Sequence, residues 1–268
     1  MFISTEKRLM IIETLRSKKG FICDMDGVIY HGDRLLPGVK EFVDWLYKEN
    51  KKFLFLTNGN SRTPRELQQK LARLGLDVDE SHFYTSALAT AEFLATQKPG
   101  CSVYAIGEPG LFNALYDKGI TINNVNPDYV LLGETNTYDY SQICKAVQLV
   151  LGGARLIGTS RDITANVESG IIPACGALIT PIEQATGRSA YFIGKPNPVM
   201  MRTGLRMLGV HSEDAAMIGD NMNTDIIAGI ESGLDPILVL TGVTQKKDLP
   251  AYPYRPRLVL SGVGEIPG

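Results

Sequence analysis

Short apolar runs recur along the chain, and each ends abruptly in polar residues. They are Phe21-Ile22-Cys23 before Asp24-Met25-Asp26-Gly27, Phe53-Leu54-Phe55-Leu56 before Thr57-Asn58-Gly59, Ala215-Ala216-Met217-Ile218 before Gly219-Asp220-Asn221, and Ile237-Leu238-Val239-Leu240 before Thr241-Gly242. Runs without polar alternation suit strands that are buried on both faces of a parallel sheet. The chain is therefore constrained to an architecture that covers both faces of such a sheet.

Helix signals lie between these runs. Pro37-Gly38 opens a helix from Val39 to Asn50, and Asn197-Pro198 opens another. Thr63-Pro64-Arg65-Glu66 combines a capping box with proline at the first helical position, and Gly75 closes that helix. Strands that alternate with helices in this way predict an α/β fold.

Composition narrows the class of protein. The 268 residues carry 27 basic and 29 acidic side chains, and the formal charge of −2 argues against strong attraction to nucleic acid or an anionic membrane. Four cysteines with no C-x-x-C pair and three histidines with no H-E-x-x-H motif argue against a disulfide framework and a zinc hydrolase. Because no run of ~18 apolar residues occurs and residues 1–20 lack a signal-peptide pattern, we expect a cytoplasmic protein.

Polar side chains follow the predicted strands at their carboxyl ends, where open parallel sheets bind ligands. These side chains and a downstream lysine are the candidate ligand-binding residues: Asp24, Asp26, Thr57, Asn58, Lys195, Asp220 and Asp225. Carboxylates that converge within a few ångströms raise one another's pKa, so they cannot all stay ionised without a counter-ion. A divalent cation resolves that conflict, and an all-oxygen set that can share its ion with a phosphate is typical of Mg²⁺.

The same residue types indicate phosphoryl transfer. A carboxylate such as that of Asp24 is a competent nucleophile towards phosphorus when positive charge offsets its repulsion from the phosphate. The repulsion would be offset by Mg²⁺, by the Lys195 ammonium, and by hydrogen-bond donors from Thr57 and the Asn58 backbone. Asp26 can act as general acid to the leaving oxygen, and later as general base to the water that hydrolyses the acyl-phosphate.

Four motifs resemble those of the haloacid dehalogenase (HAD) superfamily, in order. They are Asp24-Met25-Asp26-Gly27-Val28, Leu56-Thr57-Asn58, Gly194-Lys195-Pro196 and Gly219-Asp220-Asn221-Met222-Asn223-Thr224-Asp225. Three further segments are similar to the NagD-like phosphatases, a branch with a C2-type cap: Phe83-Tyr84-Thr85-Ser86-Ala87, Asn126-Pro127-Asp128-Tyr129-Val130 and Pro173-Ala174-Cys175-Gly176-Ala177-Leu178. The resemblance covers nearly all of residues 20–260.

The resemblance implies a Rossmann-like parallel-sheet HAD core with an inserted second α/β cap domain of the C2 type. It implies that Asp24 and Asp220 hold Mg²⁺ together with the backbone carbonyl of Asp26, while Asp225 orients the metal shell. An aspartate at position 26 is what the phosphatases of this superfamily carry and the dehalogenases lack. Phosphate or substrate contacts fall to Thr57, Asn58, Lys195, Asn221 and Thr224. The stretch Asn58-Gly59-Asn60 departs from many relatives, so the resemblance does not define that loop.

The cap is expected between Thr57 and Lys195. The predicted boundaries are a helical extension at 1–19, a core at 20–98 and 190–268, and a cap at 99–189. Within the cap, predicted strands at Val103–Ile106, Tyr129–Leu132 and Arg155–Gly158 alternate with helices near Leu111–Lys118 and Ser141–Leu151. Thr180-Pro181-Ile182-Glu183 is interpreted as a capping box that starts a last helix, which Gly187 ends.

The favoured function is Mg²⁺-dependent hydrolysis of small phosphomonoesters, nucleoside monophosphates or sugar phosphates, through an aspartyl-phosphate intermediate. Two alternatives stay open: a phosphotransferase or phosphomutase with the same intermediate, and a non-catalytic phospholigand-binding protein on this fold. The expected partner is a small phosphorylated metabolite, and neither nucleic acid nor a membrane. Caps of this type often form dimer contacts, which leaves a homodimer through the cap as an open expectation. The Arg161-Asp162 loop and Cys175 are candidates for facing the substrate from the cap.

Overall fold

A computed structural model of the chain describes residues 4–167 and 170–268. Its contacts divide the chain into two compact units. The first comprises the described residues of Met1–Leu56, Lys70–Phe83 and Met201–Gly268, and the second comprises Thr57–Gln69 and the described residues of Tyr84–Met200. Each unit contains a parallel sheet and helices, as the α/β prediction requires. The domain boundaries given above stay a prediction.

Helices and strands alternate along most of the chain. The α-helices are α1 (Thr5–Arg16), α2 (Val39–Lys48), α3 (Pro64–Arg73), α4 (Ser86–Gln97), α5 (Pro109–Asp117), α6 (Tyr140–Leu151), α7 (Cys175–Thr186), α8 (Pro198–Leu208) and α9 (Ile227–Glu231). The strands are β1 (Gly20–Cys23), β2 (Tyr30–His31), β3 (Arg34–Leu35), β4 (Lys52–Thr57), β5 (Phe83–Thr85), β6 (Ser102–Ile106), β7 (Thr121–Ile122), β8 (Tyr129–Leu132), β9 (Arg155–Gly158), β10 (Thr164–Val167), β11 (Gly170–Pro173), β12 (Tyr191–Phe192), β13 (Ala215–Gly219), β14 (Asp235–Val239) and β15 (Leu258–Leu260).

The sheet of the first unit has the strand order β15-β14-β13-β1-β4-β5. Strand β1 runs parallel to both β13 and β4, and Cys23 lies opposite Ile218 on one side and Phe55 on the other. Both β1 and β13 are buried along their whole length, which agrees with the uninterrupted apolar runs. This register brings the residues that follow β1 and β13 to the same edge of the sheet.

The sheet of the second unit has the order β12-β9-β8-β6-β7, and its pairings are parallel. Leu132 at the end of β8 lies opposite Ile106 on β6 and Gly158 on β9, so the loops after β8 and β9 leave from one edge. Buried residues of β8, α6 and α7 form a common apolar core in this unit. Strands β10 and β11 form a separate antiparallel pair, which no sequence pattern predicted.

Three predicted helix ends can be compared with the structure. The predicted capping box of α3 is confirmed, because the Thr63 N–H donates to Glu66 Oε2 at 2.7 Å and the Glu66 N–H donates to Thr63 Oγ1 at 3.2 Å. The capping box predicted at Thr180 is wrong, since α7 already begins at Cys175 and Thr180 donates to the Gly176 carbonyl inside that helix at 2.8 Å. Gly187 does end α7, with φ at 64°.

The helix predicted for the N-terminal extension is present as α1. Its Ile12 and Leu15 side chains are buried. Arg16 donates to the carbonyls of Ile266 and Pro267 at 2.7 and 2.9 Å, which fixes α1 against the end of the chain. Within the part of the chain that the structure describes, the helices are too short or too polar to cross a membrane.

Candidate functional site

Three carboxylates form a compact cluster in the first unit. Asp24, Asp220 and Asp225 each offer an oxygen, and these oxygens lie within 4.8 Å of one another. Asp24 directly follows β1, and its N–H donates to the Ile218 carbonyl at 2.9 Å, which continues the parallel pairing past the end of the strand. Asp220 and Asp225 are only 2% and 0% exposed. The sequence prediction that strand-end carboxylates converge is confirmed for these three residues.

A π-helical turn, Met222–Ile226, positions Asp225. The Oδ2 atom of Asp225 accepts the backbone N–H groups of Asp220 at 3.2 Å and Asn221 at 3.1 Å, so this carboxylate fixes the loop that carries Asp220. The Asn221 side chain accepts the Asn223 N–H at 2.9 Å and caps the same turn. Thr224 is half-buried on that turn, and the substrate contacts expected of Asn221 and Thr224 stay predictions.

Glycines make room for the buried carboxylates. A Cβ added to Gly242 would lie 2.0 Å from Asp220 Oδ2, and a Cβ added to Gly219 would lie 2.1 Å from the Asp225 Cβ. Gly27, in the Asp-x-Asp-Gly motif, has φ at 78°, and a Cβ there would lie 2.6 Å from Asp220 Oδ2. The backbone approaches the carboxylates so closely that only glycine fits at these positions.

The loop after β14, for which the sequence predicted no role, completes this cluster. The Val243 N–H donates to Asp220 Oδ2 at 2.6 Å, and the Thr244 N–H donates to the Asp220 carbonyl at 3.0 Å. The Thr241 hydroxyl donates to the Gly27 carbonyl at 2.5 Å. The abrupt end of the apolar run at Thr241-Gly242 was the signal that could have identified this loop.

Asp26 lies in a more open environment than the three clustered carboxylates. Its side chain is 54% exposed, and Oδ1 lies 3.4 Å from the Nδ1 atom of His31. Partial desolvation raises the pKa of Asp26 above its ordinary value, while the positive charges of His31 and Lys70 oppose the shift. The Gly27 N–H donates to the Tyr30 carbonyl at 2.8 Å and turns the chain directly after Asp26.

In the second unit, the structure brings Asn58 and Lys195 together. Asn58 Oδ1 accepts the Lys195 N–H at 2.7 Å, and Asn58 Nδ2 donates to the Lys195 carbonyl at 3.1 Å. Lys195 is only 2% exposed. Thr57 ends β4, and its hydroxyl oxygen accepts the Gly59 N–H at 3.0 Å. The Ser86 hydroxyl donates to the Asn58 carbonyl at 2.6 Å, which further fixes the loop after Thr57.

Asn60 fixes the rest of the loop that the resemblance left undefined. Its side chain is fully buried, Nδ2 donates to Thr159 Oγ1 at 3.1 Å, and Oδ1 accepts the Glu134 N–H at 2.9 Å. Burial and the neighbouring charge of Asp162 raise the pKa of Glu134 to about 7. The loops after β4, β8 and β9 are thus joined by one network of polar contacts within the second unit.

The carboxylate cluster fits a divalent cation on the chemistry of its donors. Three ionised carboxylates at this separation repel one another, and a cation bound among their oxygens offsets that repulsion. Hard oxygen ligands are those that divalent cations such as Mg²⁺ take in proteins. Asp24, Asp220 and Asp225 are therefore the residues that could hold the metal.

Comparison with known protein families agrees with the motifs. Residues 21–121 match the family model described as haloacid dehalogenase-like hydrolase, and residues 192–266 match the model described as HAD-hydrolase-like. The chain is 43% identical to the dihydroxyacetone phosphatase of Corynebacterium glutamicum over 246 residues, which cover 92% of this chain and 90% of the relative. It is 42% identical to the ribonucleotide monophosphatase NagD of Escherichia coli over 248 residues, which cover 92% and 98%.

Solved structures show the same fold over nearly the whole chain. The structure of NagD from E. coli K-12 matches with a TM-score of 0.88, and the match covers 93% of this chain and 98% of that one. A 4-nitrophenylphosphatase from Thermotoga maritima matches with a TM-score of 0.90 at 36% identity, and the match covers 94% and 97%. With the ordered motifs and the carboxylate cluster, these similarities show that the chain belongs to the haloacid dehalogenase-like hydrolases, within their NagD-like branch of phosphomonoesterases.

Proposed function

We propose that this enzyme hydrolyses small phosphomonoesters in a Mg²⁺-dependent reaction that passes through an aspartyl-phosphate on Asp24. The cluster of Asp24, Asp220 and Asp225, with oxygens within 4.8 Å of one another, is the observation that carries the proposal. Mg²⁺ held there, with the backbone carbonyl of Asp26 as a further ligand, would offset the negative charge that an anionic nucleophile and a phosphate bring together.

The first step forms the aspartyl-phosphate. A carboxylate oxygen of Asp24 attacks phosphorus, the bond from phosphorus to the leaving oxygen breaks, and the carboxylic acid of Asp26 gives its proton to that oxygen. The raised pKa of Asp26 supports this role, because it increases the fraction of the residue that carries the required proton. Lys195 and Thr57 bind the phosphoryl oxygens, and Asn221 and Thr224 contribute on the leaving-group side.

The second step releases phosphate. The Asp26 carboxylate accepts a proton from water as that water attacks phosphorus, and the bond between phosphorus and the Asp24 oxygen breaks. This step restores the Asp24 carboxylate and the protonated Asp26, so the cycle is closed. Asp225 supports the metal site by fixing the loop that carries Asp220.

The substrates proposed are nucleoside monophosphates and sugar phosphates. Relatives are named dihydroxyacetone phosphatase, ribonucleotide monophosphatase and, in Staphylococcus aureus, acid sugar phosphatase. These names support a small phosphorylated metabolite as the substrate. These names also favour a hydrolase over the non-catalytic phospholigand-binding alternative. A cytoplasmic location and a homodimer through the cap stay predictions.

A turnover screen with the purified protein tests this function. With Mg²⁺, we expect phosphate release from p-nitrophenyl phosphate and from members of a panel of phosphorylated metabolites, and EDTA should abolish it reversibly. Asp24→Asn and Asp26→Asn should each remove activity while the fold is retained, and Asp33→Asn, an exposed neighbour, serves as the matched control. Wild-type turnover in either site variant would refute the proposal, and transfer to a sugar hydroxyl in preference to water would favour the phosphotransferase alternative.

A further inference from the structure

The side-chain amide of Asn58 uses both of its N–H donors and its oxygen in hydrogen bonds within the protein. Its Nδ2 group donates to Asp162 Oδ2 at 2.8 Å and to the Lys195 carbonyl at 3.1 Å, and its Oδ1 atom accepts the Lys195 N–H at 2.7 Å. An amide group has two N–H donors, and both are used here. The Asn58 side chain therefore acts on Lys195 and Asp162, while any phosphate contact of Asn58 falls to its backbone.

The paired hydrogen bonds fix the backbone of Lys195 on both sides of its Cα atom. Gly194 permits this close approach, because a Cβ there would lie 2.6 Å from Asn58 Oδ1 and 2.7 Å from the Thr159 carbonyl oxygen. Since Lys195 is almost fully buried, its ammonium cannot swing through solvent to correct a displaced backbone. The position of the Lys195 side chain thus depends on the Asn58 amide.

Asp162 and the Lys195 backbone together set which way that amide faces. If the amide turned over, its Oδ1 atom would face both the Asp162 carboxylate and the Lys195 carbonyl, and its NH₂ group would face the Lys195 N–H. Each of the three contacts would become repulsive. The carboxylate therefore adds a charge-assisted hydrogen bond to the orientation that the Lys195 backbone also favours. The Gly176 N–H donates to the Asp162 carbonyl at 2.8 Å, so the first turn of α7 fixes the Asp162 backbone in turn.

We propose that Asp162 is a positioning residue for phosphoryl transfer, which orients the Asn58 amide and through it places the Lys195 ammonium against the transferring phosphate. The inference rests on the phosphate-binding role proposed for Lys195 and adds to it a carboxylate that acts through the Asn58 amide. Asp162 is a negatively charged group placed so as to help a lysine bind an anion, and it does so through the neutral Asn58.

Two variants of Asp162 test the inference. Asp162→Ala removes one of the two acceptors of the Asn58 amide, the charged one, and we expect kcat/KM for p-nitrophenyl phosphate to fall about 10- to 100-fold, the loss typical of a catalytic group displaced by ~1 Å. The inhibition constant of inorganic phosphate should rise at least several-fold. Asp162→Asn keeps an oxygen acceptor of the same shape and should restore both values to within about threefold of wild type, because a neutral hydrogen bond retains about half the strength of the charged one.

A matched control comes from Asp128 in the same unit. Its carboxylate accepts the Ser102 N–H at 2.8 Å and pairs with Lys98. Asp128→Ala therefore removes a comparable set of contacts away from Lys195 and should leave the inhibition constant of phosphate unchanged. Because that constant does not depend on the amount of folded enzyme, it separates positioning from a general loss of stability.

A double-variant cycle tests whether Asp162 acts through Asn58. The Asn58→Ala/Asp162→Ala enzyme should lose no more than Asn58→Ala alone, since the carboxylate has nothing to orient once the amide is removed. Additive losses, or an unchanged phosphate inhibition constant in Asp162→Ala, would overturn the inference. If Asp162→Ala fails to fold, Asn58→Asp provides a second test, because it places a carboxylate next to that of Asp162. We expect Asn58→Asp to raise the inhibition constant of phosphate.

Lys195→Met keeps the inference separate from the function on which it rests. If Lys195→Met leaves phosphate inhibition unchanged, the phosphate-binding role of Lys195 is wrong. If Lys195→Met weakens phosphate inhibition and Asp162→Ala does not, the proposed function stands and only the positioning role of Asp162 fails.

Discussion

Gly242→Ala should disable the carboxylate cluster without changing any group that touches substrate. The added Cβ would lie 2.0 Å from Oδ2 of Asp220, 2.6 Å from its Cγ and 2.9 Å from its Cβ. Ordinary contact begins at 3.4 Å, so the Asp220 carboxylate must move by about 1.4 Å or the loop after β14 must move away from it. Asp220 is 2% exposed and has no open space into which it can rotate freely.

The expected loss of activity follows from the size of that displacement. A shift of ~1 Å in a catalytic group costs about 100-fold in rate, or about 2.7 kcal/mol of transition-state stabilisation. The move also removes the hydrogen bond from Val243 N–H to Asp220 Oδ2, at 2.6 Å in the native structure. Overpacking of this kind lowers the free energy of unfolding by about 1–3 kcal/mol. That loss is smaller than the total stability of about 5–15 kcal/mol that is typical of native proteins, so we expect the variant to fold.

The assay is Mg²⁺ activation of p-nitrophenyl phosphate hydrolysis, with thermal melting as the check on folding. We expect Gly242→Ala to remain folded, to need much more Mg²⁺ for half-activation, and to lose about 100-fold in kcat/KM at the wild-type optimum. Gly262→Ala is the matched control, since its Cβ would meet nothing closer than 3.5 Å and the position is extended backbone. Wild-type Mg²⁺ activation in a folded Gly242→Ala enzyme would refute the prediction that the close approach of Gly242 fixes the Asp220 carboxylate at the metal site.

Two further variants probe charge in the two units. Because the pKa of Glu134 is raised from 4.5 to about 7, the folded protein keeps a proton that the unfolded chain loses, and stability falls as pH rises through that window by at most ~3 kcal/mol. Glu134→Gln should flatten the dependence of melting temperature on pH between those values, and identical slopes in the two proteins would contradict the pKa shift. Asp225→Asn keeps an oxygen for the Asp220 and Asn221 N–H groups but removes the charge, so we expect normal melting and a Mg²⁺ requirement raised about 10- to 100-fold. A normal requirement would show that the Asp225 charge does not act on the metal.

The parts of the site that the sequence predicts are those set by strand ends. Parallel pairing brings the residues that follow neighbouring strands together, so the sequence alone predicts that Asp24 and Asp220 lie at one edge of the sheet. Asp225 lies on the π-helical turn Met222–Ile226, which begins two residues after Asp220, so the two carboxylates are close in the sequence as well as in space. The α/β class and the second sheet follow from the same strand and helix periodicities.

The contacts that were missed join residues far apart in the chain. Asn58 and Asp162 are separated by 104 residues, and neither lies in a pattern that specifies their contact. The approach of Gly242 to Asp220 is equally remote, and only the backbone geometry reveals why glycine stands there. The false capping box at Thr180 has a local cause, because a threonine that bonds to its own helix has the same sequence signature as one that caps a helix.

The stereochemical course at phosphorus tests the central claim, that an Asp24 oxygen forms a bond to the transferring phosphoryl group. A phosphomonoester whose phosphate is chiral through three oxygen isotopes can be hydrolysed by the wild-type enzyme and the configuration of the released phosphate determined. Two successive in-line displacements, at Asp24 and then at water, predict net retention of configuration. Inversion would mean that water attacks the substrate directly, and it would contradict an aspartyl-phosphate intermediate.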